Sequence, residues 1–380
     1  MINTMIVVTV VLLLLVVGSL VYSALTVAAA RNYLGTRPPD LEDFVPISVL
    51  KPLKGADEGL EENLRSFFAQ KYPDFEILFA VSDGDDPAAP VVEKLRREFP
   101  HIPAQLVVTG LPPYPNAKVF SLDRMLGAAR HELIVMGDSD VRVSPRFLET
   151  IAREMQDQRV GLITCPYRAV PGKSFWSHLE GIFINTEFLG GVLVARFLNG
   201  MDFALGPALA VRRTWLGQIG GFDFLKDFLA EDFIMGNRLA ALGARVVLSS
   251  EVIEHRIGSQ GFGEHTRHRL RWLRSTRRSR PWGYVGQVFT NPLPLALLLW
   301  AASPGWWTVV LLTTMFRAAS AWAQAGRVLR DPLTKTWWWL VPVQDLYAFV
   351  LWIAGFFGNT VVWRGRTYYV ARDGRFEPKG

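Results

Sequence analysis

Three acidic groups and one basic-aromatic pair carry most of the chemistry in this chain. Val81-Ser82-Asp83 ends an apolar run, Met136-Gly137-Asp138-Ser139-Asp140 ends another, and Ala230-Glu231-Asp232 opens a helical stretch. Any one aspartate after a strand is ordinary turn chemistry. The Asp138-x-Asp140 pair says more, because two carboxylates that close repel unless a cation sits between them. Oxygen-preferring Mg²⁺ or Mn²⁺, chelated by a nucleotide diphosphate, meets that need. Further on, His268-Arg269-Leu270-Arg271-Trp272 sits in a helical stretch where Arg267, Arg271, Arg274 and Arg278 share one face. That face has three readings: a solvated basic helix, attraction to anionic lipid headgroups, or a catalytic cation at Arg271 beside an aromatic wall at Trp272.

These residues need a scaffold. Ile47–Leu50, Phe75–Val81, Gln105–Thr109, Leu133–Met136 and Gly161–Thr164 read as short strands. Gly59–Gln70, Pro90–Phe99, Lys118–Arg130, Pro145–Gln156 and Phe233–Leu242 read as helices, with Ser144 as N-cap before Pro145. Strands alternating with helices predict an α/β fold with a doubly wound, mostly parallel sheet. Ligands bind such sheets at the carboxyl ends of the strands, where Asp83 and Asp138 fall.

The chain has 380 residues, 50% of them hydrophobic, with a net charge of +6. Its mean hydropathy is +0.18. That composition excludes a disordered chain. The single Cys165 excludes an intrachain disulfide framework. Arg267 to Arg280 holds seven arginines and no acid, so the rest of the chain is close to neutral. The basicity is one patch, and it calls for no nucleic acid.

Ile6 to Ala30 is 25 residues without a charge, long enough to span a bilayer. A cleaved signal peptide is the alternative, but the run exceeds the usual apolar core of one. Arg31, Arg37, Lys51 and Lys54 follow it, which predicts that the next domain faces the cytoplasm. Eleven of the 13 tryptophans lie at or beyond Trp272. Val288–Ala302 and Trp306–Ala325 read as a helical hairpin, with Arg317 facing a protein partner or a polar groove. Trp337–Trp363 reads as a tilted span or a partly inserted piece. The expected organisation is an anchor (1–37), a catalytic domain (38–262), basic interfacial helices (263–286), membrane helices (287–363) and a basic tail (364–380).

The ordered set resembles the processive-type inverting glycosyltransferases and, within them, the ceramide glucosyltransferase family. Val49-Leu50-Lys51-Pro52-Leu53-Lys54-Gly55, Pro115-Asn116-Ala117-Lys118-Val119, Asp138-Ser139-Asp140-Val141-Arg142-Val143, Ala230-Glu231-Asp232 and Trp363-Arg364-Gly365-Arg366 carry the narrower match. The resemblance implies a GT-A-type nucleotide-sugar domain with membrane helices at both ends. It implies a UDP-sugar donor, a ceramide-like membrane lipid acceptor, and Mg²⁺ or Mn²⁺ held by Asp140. It places Asp83, Lys118, Asp138 and Pro52 on the UDP-sugar, and Asp232 as general base with Glu231 beside it. Arg271 and Trp272 then face the leaving diphosphate and the acceptor. One position departs from the pattern: His268 stands where the family motif begins with Gln or Arg. Three other readings stay open: a different sugar or lipid, a processive polysaccharide synthase, and a non-enzymatic binder of anionic lipid. The sequence leaves the oligomeric state open.

Overall fold

A computed structural model describes residues 2–363 and 366–378. The soluble block is built on a seven-stranded sheet of β1 (Ile47–Pro52), β2 (Phe75–Val81), β3 (Ala104–Val108), β4 (Leu133–Gly137), β6 (Val160–Thr164), β8 (Ala208–Arg212) and β9 (Arg245–Leu248). Their order is β3-β2-β1-β4-β8-β6-β9. The first four are parallel, β8 runs antiparallel to β4 and β6, and β9 is parallel to β6. This is the mostly parallel sheet that the strand–helix alternation predicts. Strands β2, β4 and β6 are buried along their whole length, which explains their near-continuous apolar runs.

Strand order reverses between β1 and β4, the place where such sheets bind ligands. Asp138 leaves β4 at that point. A second sheet, β5 (Val141–Arg142), β10 (Ile253–Ile257) and β7 (Tyr167–Pro171), lies in the order β5-β10-β7. Its register sets His255 opposite Val141, and Arg256 N–H donates to the Asp140 carbonyl at 2.7 Å. The short strand after Asp140 is therefore clamped to a strand more than a hundred residues away.

The helices match their sequence expectations to within a few residues, with one local correction. The helix expected from Pro145 begins at Phe147. Ser144 does not cap it directly: its Oγ accepts from Arg146 N–H and its carbonyl from Phe147 N–H, which closes a turn before the helix.

The helix Ile2–Leu34 is the expected anchor, and Thr4–Leu34 is apolar enough to cross a membrane. A second such helix, Phe175–Asn199, was not expected, because Glu180, Glu187 and Arg196 interrupt its pattern. The hairpin forms from Pro292–Ala302 and Trp307–Ala321, but its first arm starts late. Pro292 stands at the first helical position, and Pro281–Thr290 meets Pro292–Ala302 at a 67° bend.

The stretch 337–363 is not one apolar span. The helix Leu340–Gly355 has 16 residues, too short for a straight crossing. Gly358 then takes φ +78°, a turn that favours glycine, and the β-branched run that follows begins β11 (Thr360–Trp363). With β12 (Arg366–Val370) and β13 (Phe376–Pro378) it forms an antiparallel meander in place of the expected tail. Of the C-terminal segment that carried the resemblance, Arg364 and Gly365 lie outside the described residues.

Candidate active site

Strand ends bring the predicted donor residues to one edge. Pro52 ends β1, paired in register with Ala80 of β2, and Asp83 follows β2 two residues past its end. Asp83 is exposed, and its Oδ1 accepts from Asp85 N–H at 3.1 Å. The strands that carry Asp83 and Asp138, β2 and β4, are two inter-strand steps apart, roughly 10 Å. Neighbouring Asp86 holds the Gly55 turn through its carboxylate, at 2.9 Å from Gly55 N.

Lys118 stands in the first turn of the helix Ala117–Ala128, which Asn116 caps by accepting from Val119 N–H at 3.1 Å. Its ammonium reaches Asp138 Oδ1 at 2.8 Å and Glu231 Oε1 at 3.2 Å. It also lies 3.5 Å from the Gly206 carbonyl. Lys118 thus ties the β4 edge to the first turn of the helix Glu231–Ala241. Its own burial works against the charge, but Asp138 and Glu231 hold its pKa well above the ordinary range.

Asp232 follows on that helix. Burial, reinforced by the charge of Glu231, pushes its carboxyl up to about 7, against the pull of Lys118. A carboxyl poised near neutrality matches what a general base at physiological pH requires. Gly206 makes room for it: a Cβ there would stand 2.9 Å from Asp232 Oδ2 and 3.8 Å from Lys118 Nζ.

Asp140 is held from the second sheet. His255 Nε2 lies 3.1 Å from Asp140 Oδ2. Burial opposes the charge on Asp140, yet His255 and Lys51 keep its carboxyl below the usual range. The imidazole of His255 is raised in turn, its burial outweighed by Asp140. Asp140 Oδ1 and His255 Nδ1 are buried without a hydrogen-bond partner among the described residues. No cluster of three metal-ligating side chains occurs among those residues. A single ionised carboxylate with a free oxygen still fits Mg²⁺ or Mn²⁺, which take their remaining ligands from phosphate and water.

The arginine helix, Phe262–Ser279, brings Arg271 within electrostatic reach of Glu231. Arg271 makes no hydrogen bond or ion pair among the described residues, and Glu231 is the acid acting on it. Trp272 packs its ring 5.0 Å from His268 and 5.8 Å from Phe188. His268 is neutral: burial, with Arg271 beside it, pushes its pKa down to about 3. Its Nδ1 lies 3.9 Å from Glu180 Oε1. Arg269 turns away from the site and pairs with Glu180 at 3.4 Å over the Phe183 ring.

The basic face is less free than the sequence suggests. Arg274 donates to the carbonyls of Phe357 and Thr360, at 3.1 and 2.8 Å. Arg277 donates to those of Phe356 and Gly358, and Arg278 to that of Val370. Three of the seven arginines therefore hold the end of the Leu340–Gly355 helix and the meander. Arg267 stays exposed.

Sequence reasoning missed Lys51, His255 and Gly206 as site residues. Lys51 is fully buried, its ammonium 3.9 Å from the Phe67 ring centroid and donating to the Asp138 carbonyl. Burial lowers its pKa to about 7, with Asp138 and Asp140 opposing. A lysine inside an otherwise apolar strand was the available signal. His255 and Gly206 carry none, because only the folded sheets bring them to Asp140 and Asp232.

Comparison with known proteins bears on this arrangement. The model of glycosyl transferase family 21 matches residues 11–376. Ceramide glucosyltransferase 1 of Caenorhabditis elegans is 31% identical over 206 residues, 54% of this chain and 44% of the relative. Ceramide glucosyltransferase 3 of the same organism is 24% identical over 345 residues, 87% of this chain and 74% of the relative. The matched stretch is thus less than half of the first relative's length. Among solved structures, a mannosyltransferase from Pyrobaculum calidifontis, in complex with GDP-Man and Mn²⁺, superposes with a TM-score of 0.54 at 18% identity. That match covers 92% of this chain and 99% of the other, and it shows a shared glycosyltransferase fold. With a family match over almost its whole length, the chain belongs to glycosyl transferase family 21, the ceramide glucosyltransferase family.

Proposed function

We propose that the protein transfers glucose from UDP-glucose to the primary hydroxyl of ceramide, with inversion, at the cytoplasmic face of a membrane. The observation that carries this reading is the convergence of Lys118, Asp138, Asp140, Asp232 and Arg271 at one sheet edge, next to an arginine helix that contacts the apolar helix Leu340–Gly355. A lipid acceptor keeps its tails in the bilayer, so its hydroxyl reaches only the membrane surface. A soluble donor must meet it there. The ceramide glucosyltransferase relatives support the acceptor and the sugar.

In this reading Asp83 and Pro52 bound the nucleoside pocket, and Lys118 and Asp138 orient the donor. Asp140, steadied by His255, would hold Mg²⁺ or Mn²⁺. Such an ion, when bound, neutralises charge on the departing diphosphate; the mannosyltransferase complex with Mn²⁺ supports this assignment. Arg271 supplies a second, permanent positive charge to the same group. Asp232 takes the acceptor proton as the hydroxyl oxygen attacks the anomeric carbon, a step worth typically 10²–10⁴-fold. The bond to the diphosphate breaks on the opposite face, so one displacement inverts the configuration. Trp272 walls the acceptor side.

The experiment is incubation of purified protein with a panel of labelled UDP-sugars, Mg²⁺ or Mn²⁺, and lipids presented in vesicles. Glucosylceramide from UDP-glucose is the expected product. Preferential transfer of galactose, N-acetylglucosamine or glucuronic acid, or transfer to diacylglycerol or a hopanoid, would replace that substrate pair.

A further inference from the structure

The helix that carries Glu231 and Asp232 has a bare start. Ala230 stands at its N-cap position and offers no side-chain cap. Asp232 is therefore aimed by the chain just before it, residues 227–229, and that chain is held from two sides. On one side, Asn116 Nδ2 donates to the Phe228 carbonyl at 2.9 Å while Asn116 Oδ1 caps the helix of Lys118. On the other side stands the C-terminal meander. Phe376 N–H donates to the Asp227 carbonyl at 3.0 Å, and Phe228 pairs with Arg375 in an antiparallel bridge. The Arg375 guanidinium lies 5.6 Å from the Phe228 ring centroid. Leu229 packs against the buried cluster of Val361, Tyr368, Val370 and Phe376, which draws on all three meander strands.

The same meander grips the arginine helix. The carbonyls of Thr360 in β11 and Val370 in β12 accept from Arg274 and Arg278, at 2.8 and 3.0 Å. Those two arginines share a helix face with Arg271. Gly374, at φ +86°, turns the chain between β12 and β13 close against that helix, and a Cβ there would stand 2.9 Å from Ser279 Oγ. Arg280, at the end of the helix, adds one direct tie by lying 5.4 Å from the Phe233 ring, next to Asp232. A small sheet gains little stability alone, and this one completes its apolar side with Leu229.

We propose that the meander is a positioning element for the transfer reaction: by gripping residues 227–229 and the arginine helix together, it sets Asp232 relative to Arg271. In the reading above, which this inference rests on, those two groups serve opposite faces of one anomeric carbon. Asp232 acts on the incoming hydroxyl and Arg271 on the departing diphosphate. A misplacement of about 1 Å between such groups can cost on the order of 100-fold in rate. Phe376 and Leu229 are positioning residues that act through residues 227–229.

The test uses full-length protein in phosphatidylcholine nanodiscs, with Phe376→Ala, Leu229→Ala and the double variant. Either single substitution opens the same packed contact from one side. Transfer from UDP-glucose to ceramide should lose about tenfold in kcat in each, with KM for UDP-glucose held within about twofold. The double variant should lose no more than about tenfold, because its second substitution removes a contact already gone. Phe376→Leu keeps apolar bulk and should hold kcat within about twofold of wild type. Amide hydrogen exchange, measured without donor, should quicken over residues 227–233 in Phe376→Ala and stay unchanged in β1 and β4. Unchanged kcat in both single variants overturns the proposal. So does a loss of about 100-fold in the double variant, the product expected of independent sites. Exchange that quickens throughout the sheet also overturns it, since that marks general destabilisation. If wild type transfers no sugar to ceramide, local quickening still upholds the grip, and the proposed function fails alone. Normal transfer with kcat and exchange unmoved in the variants fails the grip alone.

Discussion

Two regions of this molecule bury charge, and they finish the task differently. Between the membrane helices, Arg317 and Asp345 form a closed set. The guanidinium meets both carboxylate oxygens at 2.8–3.1 Å and gives one further N–H each to the carbonyl and hydroxyl of Thr186. At the sheet edge the set is open. Among the described residues Asp140 Oδ1 and His255 Nδ1 lack hydrogen-bond partners and Arg271 has no ion pair, and burial, reinforced by Glu231, raises the Asp232 carboxyl to about 7. Closed charge holds helices together. Open charge is what the diphosphate, metal and hydroxyl of the proposed reaction would complete.

The contrast can be broken from either side. Asp232→Asn removes the proposed base, so turnover should fall 10²–10⁴-fold while UDP binding, followed by calorimetry, survives. Wild-type turnover in that variant would remove Asp232 from the mechanism. Arg317→Leu leaves Asp345 buried and unpaired, an expected loss of about 3–5 kcal/mol read from thermal unfolding in detergent. If that variant is as stable as wild type, the closed set holds nothing. Gly206→Ala pushes a methyl group against Asp232 Oδ2. Its kcat should drop roughly 10- to 100-fold with little change in KM for UDP-glucose.

The pH dependence sharpens the same point. Asp232 must be ionised to accept a proton, and its pKa is raised to about 7. Activity should therefore rise with pH through 7 and level off above it, with about a tenth of the plateau at pH 6. An acid limb centred near the ordinary carboxylate value would contradict that environment. The smallest expected effect is at Arg267, exposed at the start of the basic patch. Arg267→Ala should leave turnover within twofold and weaken binding to anionic vesicles by about 1 kcal/mol.

How far the sequence could be read follows from how local each signal is. The parallel strands, the anchor and the edge positions of Asp83 and Asp138 rest on runs of adjacent residues, and they are legible. Lys118 was legible as a helix-start lysine, but its bridge from Asp138 to Glu231 joins residues 93 positions apart on two elements. His255 reaches Asp140 only because β10 pairs with β5. Gly206 matters only because a helix from elsewhere lays Asp232 against it. The arginine helix misled in the opposite direction. Its periodic basic face looked free, yet Arg274, Arg277 and Arg278 are taken by carbonyls at the end of a later helix and in the meander. That meander was read as a tail because a basic composition says nothing about strand pairing.

The central claim is a single displacement in which Asp232 activates a lipid hydroxyl. The anomeric configuration of the product, made from UDP-glucose and ceramide and read by the proton coupling at the anomeric carbon, tests it most directly. The account predicts a β-linked glucolipid from the α-linked donor, formed by wild type and lost in Asp232→Asn. An α-linked product, or β-linked product made equally well by the variant, would contradict it.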